Sequence, residues 1–229
     1  MVLPMECYCD RVDAGEQLAV SIAERLQQIP SVKGIPHLLL ALPRGGVAVA
    51  VPIAKRLHAP LGVIVAKKIT LEPNPELAVG AVTADGHVVW GGGRFQTVDK
   101  AITWSRYSEA LQQARSHAEI QWQAFAPYCP KLNLEGAIVL LVDDGIATGM
   151  TIAAAVKSVR SHHPAQVWIC APVAPLELIP FLERLCDQLV ILKTPSPFHS
   201  VSRFYREFDQ VATEVVIAQL QQVNGNFKV

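Results

Sequence analysis

Two adjacent carboxylates, Asp143 and Asp144, stand between an apolar run, Val139-Leu140-Leu141-Val142, and a loop of small and hydroxyl-bearing residues, Gly145-Ile146-Ala147-Thr148-Gly149-Met150-Thr151. The apolar run suits a buried parallel strand, and the alanine-rich Ile152-Ala153-Ala154-Ala155-Val156 after the loop suits a helix. A tight strand-to-helix turn points several backbone N–H groups into one concavity, and the positive end of the helix dipole adds to the field there. Gly145 and Gly149 let the backbone come close to an anion, and the hydroxyls of Thr148 and Thr151 can donate further hydrogen bonds. The loop is therefore suited to a phosphate. Carboxylates beside that phosphate accept hydrogen bonds, and a pair of vicinal hydroxyls is a natural donor. A ribose 5-phosphate satisfies both halves of the stretch. A nucleotide P-loop is excluded because its lysine is missing, and a receiver-type phosphoacceptor would not need the Thr148-Gly149-x-Thr151 loop.

The stretch Leu141-Val142-Asp143-Asp144-Gly145-Ile146-Ala147-Thr148-Gly149-Met150-Thr151 resembles the phosphoribosyl-pyrophosphate (PRPP) signature of type I phosphoribosyltransferases. The resemblance implies that Asp143 and Asp144 hold the ribose hydroxyls and that Gly145 to Thr151 anchor the 5-phosphate. In hypoxanthine–guanine enzymes the fifth motif position is an aspartate suited to proton exchange with the purine. Here it is Ala147, as in adenine-type enzymes, so no general acid or base stands out and the acceptor stays open.

A second chemical site is Arg44-Gly45-Gly46, at the end of the apolar His37-Leu38-Leu39-Leu40-Ala41-Leu42. Two glycines let backbone amides approach a ligand, and arginine binds pyrophosphate through its bidentate fork. The family places its pyrophosphate loop after the first core strand, which this turn matches. Lys67-Lys68 closes the next apolar run, Leu61 to Ala66. Two cations where a buried strand emerges need solvent or anions, and the resemblance implies that at least one touches pyrophosphate.

These residues must be positioned by alternating strands and helices. Asp13 to Gln28 reads as a helix capped by Asp13, with Leu18, Ile22 and Leu26 on one face. Val47 to Leu57 is a helix that must accommodate Pro52, and Asp99 to Ala126 is a long one. Leu77 to Val82 and His87 to Trp90 flank Asp85-Gly86, a hairpin signal, whereas Pro73, Asn74 and Pro75 break structure. Gln166 to Val173 is a strand, Leu176 to Leu185 a helix, Gln188 to Leu192 a strand and Val211 to Gln222 a last helix. Such alternation indicates an α/β fold around a mostly parallel central sheet, whose ligands sit beyond the strand C-termini. Arg44, Lys67, Asp143 and Phe198 are all expected at such ends.

The resemblance implies a Rossmann-like type I phosphoribosyltransferase fold forming a single domain over 1–229. A β-hairpin flap at about 69–98 would close over PRPP, with Gly91-Gly92-Gly93-Arg94 as a hinge, and a small C-terminal hood would span about 194–229. In relatives the segment after the last core strand supplies an aromatic that stacks on the base. Phe198 is the candidate and Tyr205 the second, although both could equally pack the C-terminal helix. Beyond the core motifs, Asp10-Arg11-x-Asp13-Ala14-Gly15, Leu42 to Val47, Asn74 to Val82 and Phe204 to Phe208 resemble a bacterial phosphoribosyltransferase-like subgroup of unassigned substrate.

The implied reaction is displacement of pyrophosphate from ribose C1 by a nitrogenous base, as in nucleotide salvage. Mg²⁺ would bridge pyrophosphate and ribose oxygens, with Asp143 and Asp144 acting on it indirectly. The alternative is a non-catalytic PRPP-binding regulator or sensor. With 51% apolar residues and zero formal net charge over 229 residues, the chain is not a disordered protein and has no electrostatic reason to bind nucleic acid or membrane. It has no apolar run of about 20 residues and no secretory signal, so the expected location is the cytoplasm. The resemblance suggests a homodimer. Cys7, Cys9, Cys129, Cys170 and Cys186 have neither zinc-site spacing nor an even count and read as reduced thiols.

Overall fold

A computed structural model describes residues 7–71, 74–91 and 100–225. Its centre is a parallel five-stranded sheet in the order β2-β1-β6-β7-β8. The strands are β1 (His37–Ala41), β2 (Leu61–Val63), β6 (Ile138–Val142), β7 (Gln166–Val173) and β8 (Gln188–Lys193). Each is a nearly unbroken apolar run because both faces are covered. Ile138, Leu140 and Val142 of β6 belong to one core layer, which they share with α1 (Arg11–Gln28), α2 (Gly45–Leu57) and α6 (Thr213–Asn224). Val139 and Leu141 face the other, under α4 (Met150–Arg160) and the short α5 (Ile179–Glu183). Every side chain of β6 is fully buried, which makes this strand the axis of the core.

The second sheet is antiparallel, in the order β3 (Ala66–Leu71), β4 (Asn74–Thr83), β5 (Val88–Trp90). The Asp85-Gly86 hairpin forms as expected, with Val82 opposite Val88 and Gly86 at φ +94°. Helix α3 (Lys100–Phe125) covers this sheet, packing Ala110 and Ala114 on Ile69, Val79 and Val82. The hairpin end is fastened to α4: Ser158 Oγ donates to Asp85 (2.6 Å) and Lys157 Nζ to the Val88 carbonyl (3.0 Å). Residues 72–73 and 92–98 of the expected flap, with the Gly92-Gly93-Arg94 part of its hinge, lie outside the described residues.

Four local expectations are corrected. Helix α1 starts two residues earlier, because Asp10 is the cap, accepting from the Val12 and Asp13 amides, while Asp13 reaches back to the Cys9 amide (2.7 Å). The apolar run Leu61 to Ala66 is not one strand. It leaves the parallel sheet at Val63 and enters the antiparallel one at Ala66, and the run hides the break because both sheets are buried there. Lys67 and Lys68 therefore open β3 and do not end a parallel strand. Asn74 and Pro75 lie within β4 at its start, where a proline without an N–H is tolerated.

Pro52 sits inside α2 without ending it. There α1 crosses so closely that a Cβ on Gly15 would overlap the Val49 carbonyl oxygen and come within 3.1 Å of the Pro52 ring. Gly15→Ala must push the helices apart, and overpacking of this kind costs about 1–3 kcal/mol. A lowered thermal midpoint is expected; an unchanged one would show that the crossing is slack.

Candidate functional site

Leu39↔Leu140 and Ala41↔Val142 pair across β1 and β6, so the loops leaving the two strands emerge side by side. Leu42 continues the pairing by donating to the Val142 carbonyl (2.9 Å). Arg44-Gly45-Gly46 and Asp143-Asp144 are thereby brought into contact. A Cβ on Gly45 would overlap the Asp144 carboxylate, and one on Gly46 would lie 2.7 Å from the Val142 oxygen. Only glycine fits this approach of one loop to the other.

The phosphate-type loop is shaped by Ile146, buried and donating to the Val173 carbonyl (2.9 Å), and by Gly149 at φ +74°. Gly149 is the N-cap of α4 and no side chain caps that helix. The first intrahelical acceptor is the Gly149 carbonyl, bonded by Ala153 N–H (2.9 Å), so the amides of Met150, Thr151 and Ile152 are left without helical partners. Ala147 and Thr148 are exposed above them. Backbone amides and helix dipole together make this a place where an anion can be received.

The two acids differ. Asp144 pairs with Arg11 (Nε–Oδ2 2.7 Å), and its carbonyl accepts from the Tyr205 hydroxyl (2.6 Å). Asp143 accepts from the Asp144 amide (2.9 Å) and has no ion-pair partner at contact distance among the described residues. Burial, and then the neighbouring Asp144, hold its carboxyl well above the usual carboxylate range. Burial also raises Asp144, but Arg11 opposes that shift by hydrogen bond and by charge.

Successive residues of a strand face opposite ways. Lys68 is exposed, and its charge bears on Asp143. Lys67 is half-buried and lies by Arg44: desolvation, and then the guanidinium, lower its pKa. Arg44 and Lys67 line a cavity of about 410 Å³ with His117, Gln121 and Thr213. Neither cation pairs with a carboxylate among the described residues. A larger cavity, about 550 Å³, lies by Leu40, Ile64, Leu132 and Leu134 and contains none of the motif residues.

Tyr205 is buried between Tyr8 (5.3 Å between ring centroids) and Phe208 (4.8 Å), so its ring is not open to a base. Its place is structural, under Asp144. Phe198 is partly buried and stacks on Phe204 at 5.9 Å and 9°. Arg11, His117 and Gln121 were not singled out as site residues by the sequence. Arg11 had a signal, its place in Asp10-Arg11-x-Asp13; the other two lie on a long polar helix where nothing marks them. All five cysteines are free thiols. Among the described residues no group of three or more His, Cys, Asp or Glu could hold a metal ion, and no helix is long and apolar enough to cross a membrane.

An α/β domain with an acid pair and a phosphate-type cradle at adjacent strand ends is the architecture of a type I phosphoribosyltransferase. A family model described as the phosphoribosyl transferase domain matches residues 10–190, and the chain belongs to that family. Two provisionally named phosphoribosyl transferases from strains of Mycobacterium tuberculosis are each 35% identical over 228 residues, covering 97% of this chain. The match takes in 48% of their length, so the chain spans about half of these curated relatives. The crystal structure of TT1426 from Thermus thermophilus is similar at 32% identity and a TM-score of 0.75, over 94% of this chain and 98% of that one.

The raised pKa of Asp143 has a stability consequence. A carboxyl that holds its proton more tightly when folded destabilises the fold as pH rises from its unfolded value, near 3.8, through its folded one. Asp143→Asn keeps an acceptor for the Asp144 amide and removes the buried charge. It is expected to raise the thermal midpoint at pH 7, with the gain shrinking towards pH 4. A gain independent of pH would contradict the assignment.

Proposed function

We propose that this domain transfers a 5-phosphoribosyl group from PRPP to a nitrogenous base, releasing pyrophosphate. The observation that carries this reading is the contact between the Arg44-Gly45-Gly46 turn and the Asp143-Asp144 pair, with an uncapped helix N-terminus beside them. Pyrophosphate, ribose and 5-phosphate are joined in that order in PRPP, and the three elements supply a partner for each.

In this reading Met150, Thr151 and their neighbours hold the 5-phosphate through amides and hydroxyls. Asp143 and Asp144 accept hydrogen bonds from the ribose hydroxyls and hold the sugar still. Departure of pyrophosphate leaves oxocarbenium character at C1, so the leaving group must be stabilised as its bond lengthens. Arg44 and Lys67 do this from the cavity they share, and Lys68 offsets the charge of Asp143. The base forms its C1–N bond as the C1–O bond to pyrophosphate breaks. Ala147 supplies no proton exchange with the base, so the nucleophile must arrive with a lone pair available.

Two carboxylates without a third ligand suit Mg²⁺, which usually takes one or two carboxylates and completes its shell with phosphate oxygens and water. Asp143 and Asp144 would hold it indirectly, through PRPP and water, and it would supply charge neutralisation on the pyrophosphate. Phe198 is the residue proposed to meet the base.

Calorimetric titration of Mg·PRPP, followed by a screen of purine, pyrimidine and other amine acceptors for pyrophosphate release, tests the reading. Binding with release for one base establishes the transferase and names its acceptor. Binding with no release for any base supports a PRPP sensor, and absence of binding overturns both. Two substitutions separate the subsites. Asp143→Ala with Asp144→Ala should abolish PRPP binding in a folded protein. Arg44→Ala should weaken pyrophosphate by about tenfold or more, the worth of a charge-assisted hydrogen bond, and leave ribose 5-phosphate nearly unchanged; equal losses would remove pyrophosphate from that turn.

A further inference from the structure

Asp144 is gripped by residues from both ends of the chain. Arg11, in the first turn of α1, bonds its Oδ2 at 2.7 Å. Arg11 is itself fixed twice, by donation from its Nη1 to the Asp209 carbonyl (2.9 Å) and by the Phe208 ring, 3.8 Å from guanidinium carbon to ring centroid. Tyr205 fixes the main chain of Asp144 through its hydroxyl. The segment 205–209 that carries these partners is in turn bound to the residues before α1: Arg206 donates to the Tyr8 carbonyl (2.9 Å) and Glu207 to that of Cys9 (3.0 Å). The guanidinium and the carboxylate are both mostly buried, at 12% and 18% side-chain exposure, so the pair is not a screened surface contact.

We infer that Arg11 is a positioning residue for the ribose site, presenting the Asp144 carboxylate to the sugar by occupying Oδ2 and leaving its other oxygen for a ribose hydroxyl. This rests on the transferase reading above. A planar guanidinium bonded through Nε, with Nη1 committed to Asp209 and one face on Phe208, leaves the carboxylate little rotational freedom. It also balances one of two adjacent negative charges, so that the site can receive a polyanion without carrying both charges uncompensated. The turn beside it packs against this same pair, since a Cβ on Gly45 would overlap both Asp144 Oδ2 and Arg11 Nε. Among the described residues Asp143 has no such holder.

The test is titration of Mg·PRPP, ribose 5-phosphate and inorganic pyrophosphate into the wild type, Arg11→Ala, Arg11→Lys, Asp144→Asn and the Arg11→Ala/Asp144→Asn double variant. Loss of a hydrogen bond to a charged group corresponds to about a tenfold effect. Arg11→Ala is therefore expected to weaken PRPP and ribose 5-phosphate by about that factor and to leave pyrophosphate within about twofold. Arg11→Lys should recover part of the loss. In the Asp144→Asn background, removing Arg11 should cost less than about twofold, because coupled residues are not additive. The inference is overturned by unchanged affinity in Arg11→Ala, by an equal loss for all three ligands, or by the same loss with and without the Asp144 carboxylate. If Arg11→Ala does not fold, Arg11→Lys and Phe208→Leu carry the same comparison, each expected to lose ribose 5-phosphate affinity selectively. Failure of the wild type to bind Mg·PRPP would sink the transferase reading itself; binding by wild type with no selective loss in the variants would sink this inference alone.

Discussion

The site depends on the parallel pairing of β1 with β6. Parallel neighbours in register end at the same level, so whatever follows Ala41 must lie next to whatever follows Val142. Two loops that are remote in sequence become one surface. The register is held by burial, because every residue of β6 is enclosed and each belongs to a definite face of the sheet. A slip of one residue would send Leu140 and Leu141 to the wrong layers and separate Gly45 from Asp144 at the same time.

Charge is distributed over that surface in a definite way. The carboxylates sit at the end of β6, one ion-paired and one not among the described residues. The cations sit at the end of β1 and the start of β3, two together and one reaching back towards Asp143. Opposite signs are thus kept in neighbouring compartments and are not spent on each other, except through Arg11. Arg11 comes from outside the sheet, and its supports are the aromatic cluster of Tyr8, Tyr205 and Phe208.

The central sheet and the strand-to-helix turn after Asp144 were legible because they rest on local signals: unbroken apolar runs, glycine spacing and hydroxyls at a helix start. The hairpin was legible from Asp85-Gly86. The switch between sheets at Ile64 and Val65 was not, since a residue buried in one sheet looks the same as a residue buried in the other. Consequently Lys67 and Lys68 were assigned to the wrong kind of strand, although still near the expected chemistry. Tyr205 illustrates a different limit. Sequence gives an aromatic at a plausible place but not the neighbours on its two faces, and these decide whether a ring stacks on a ligand or holds a backbone carbonyl. Arg11 was marked by its Asp10-Arg11-x-Asp13 segment, but its contact was not readable for a similar reason, because its partner is Asp144, far along the chain.

The pairing of Arg44 with Lys67 in one cavity carries a consequence for proton balance. With no ligand, desolvation and the adjacent guanidinium make the ammonium of Lys67 more acidic than an ordinary lysine. The charge of an anion placed between them opposes this shift and raises its affinity for a proton. Between those two pKa values, anion uptake draws a proton from the buffer, and the heat of binding includes the buffer's ionisation enthalpy.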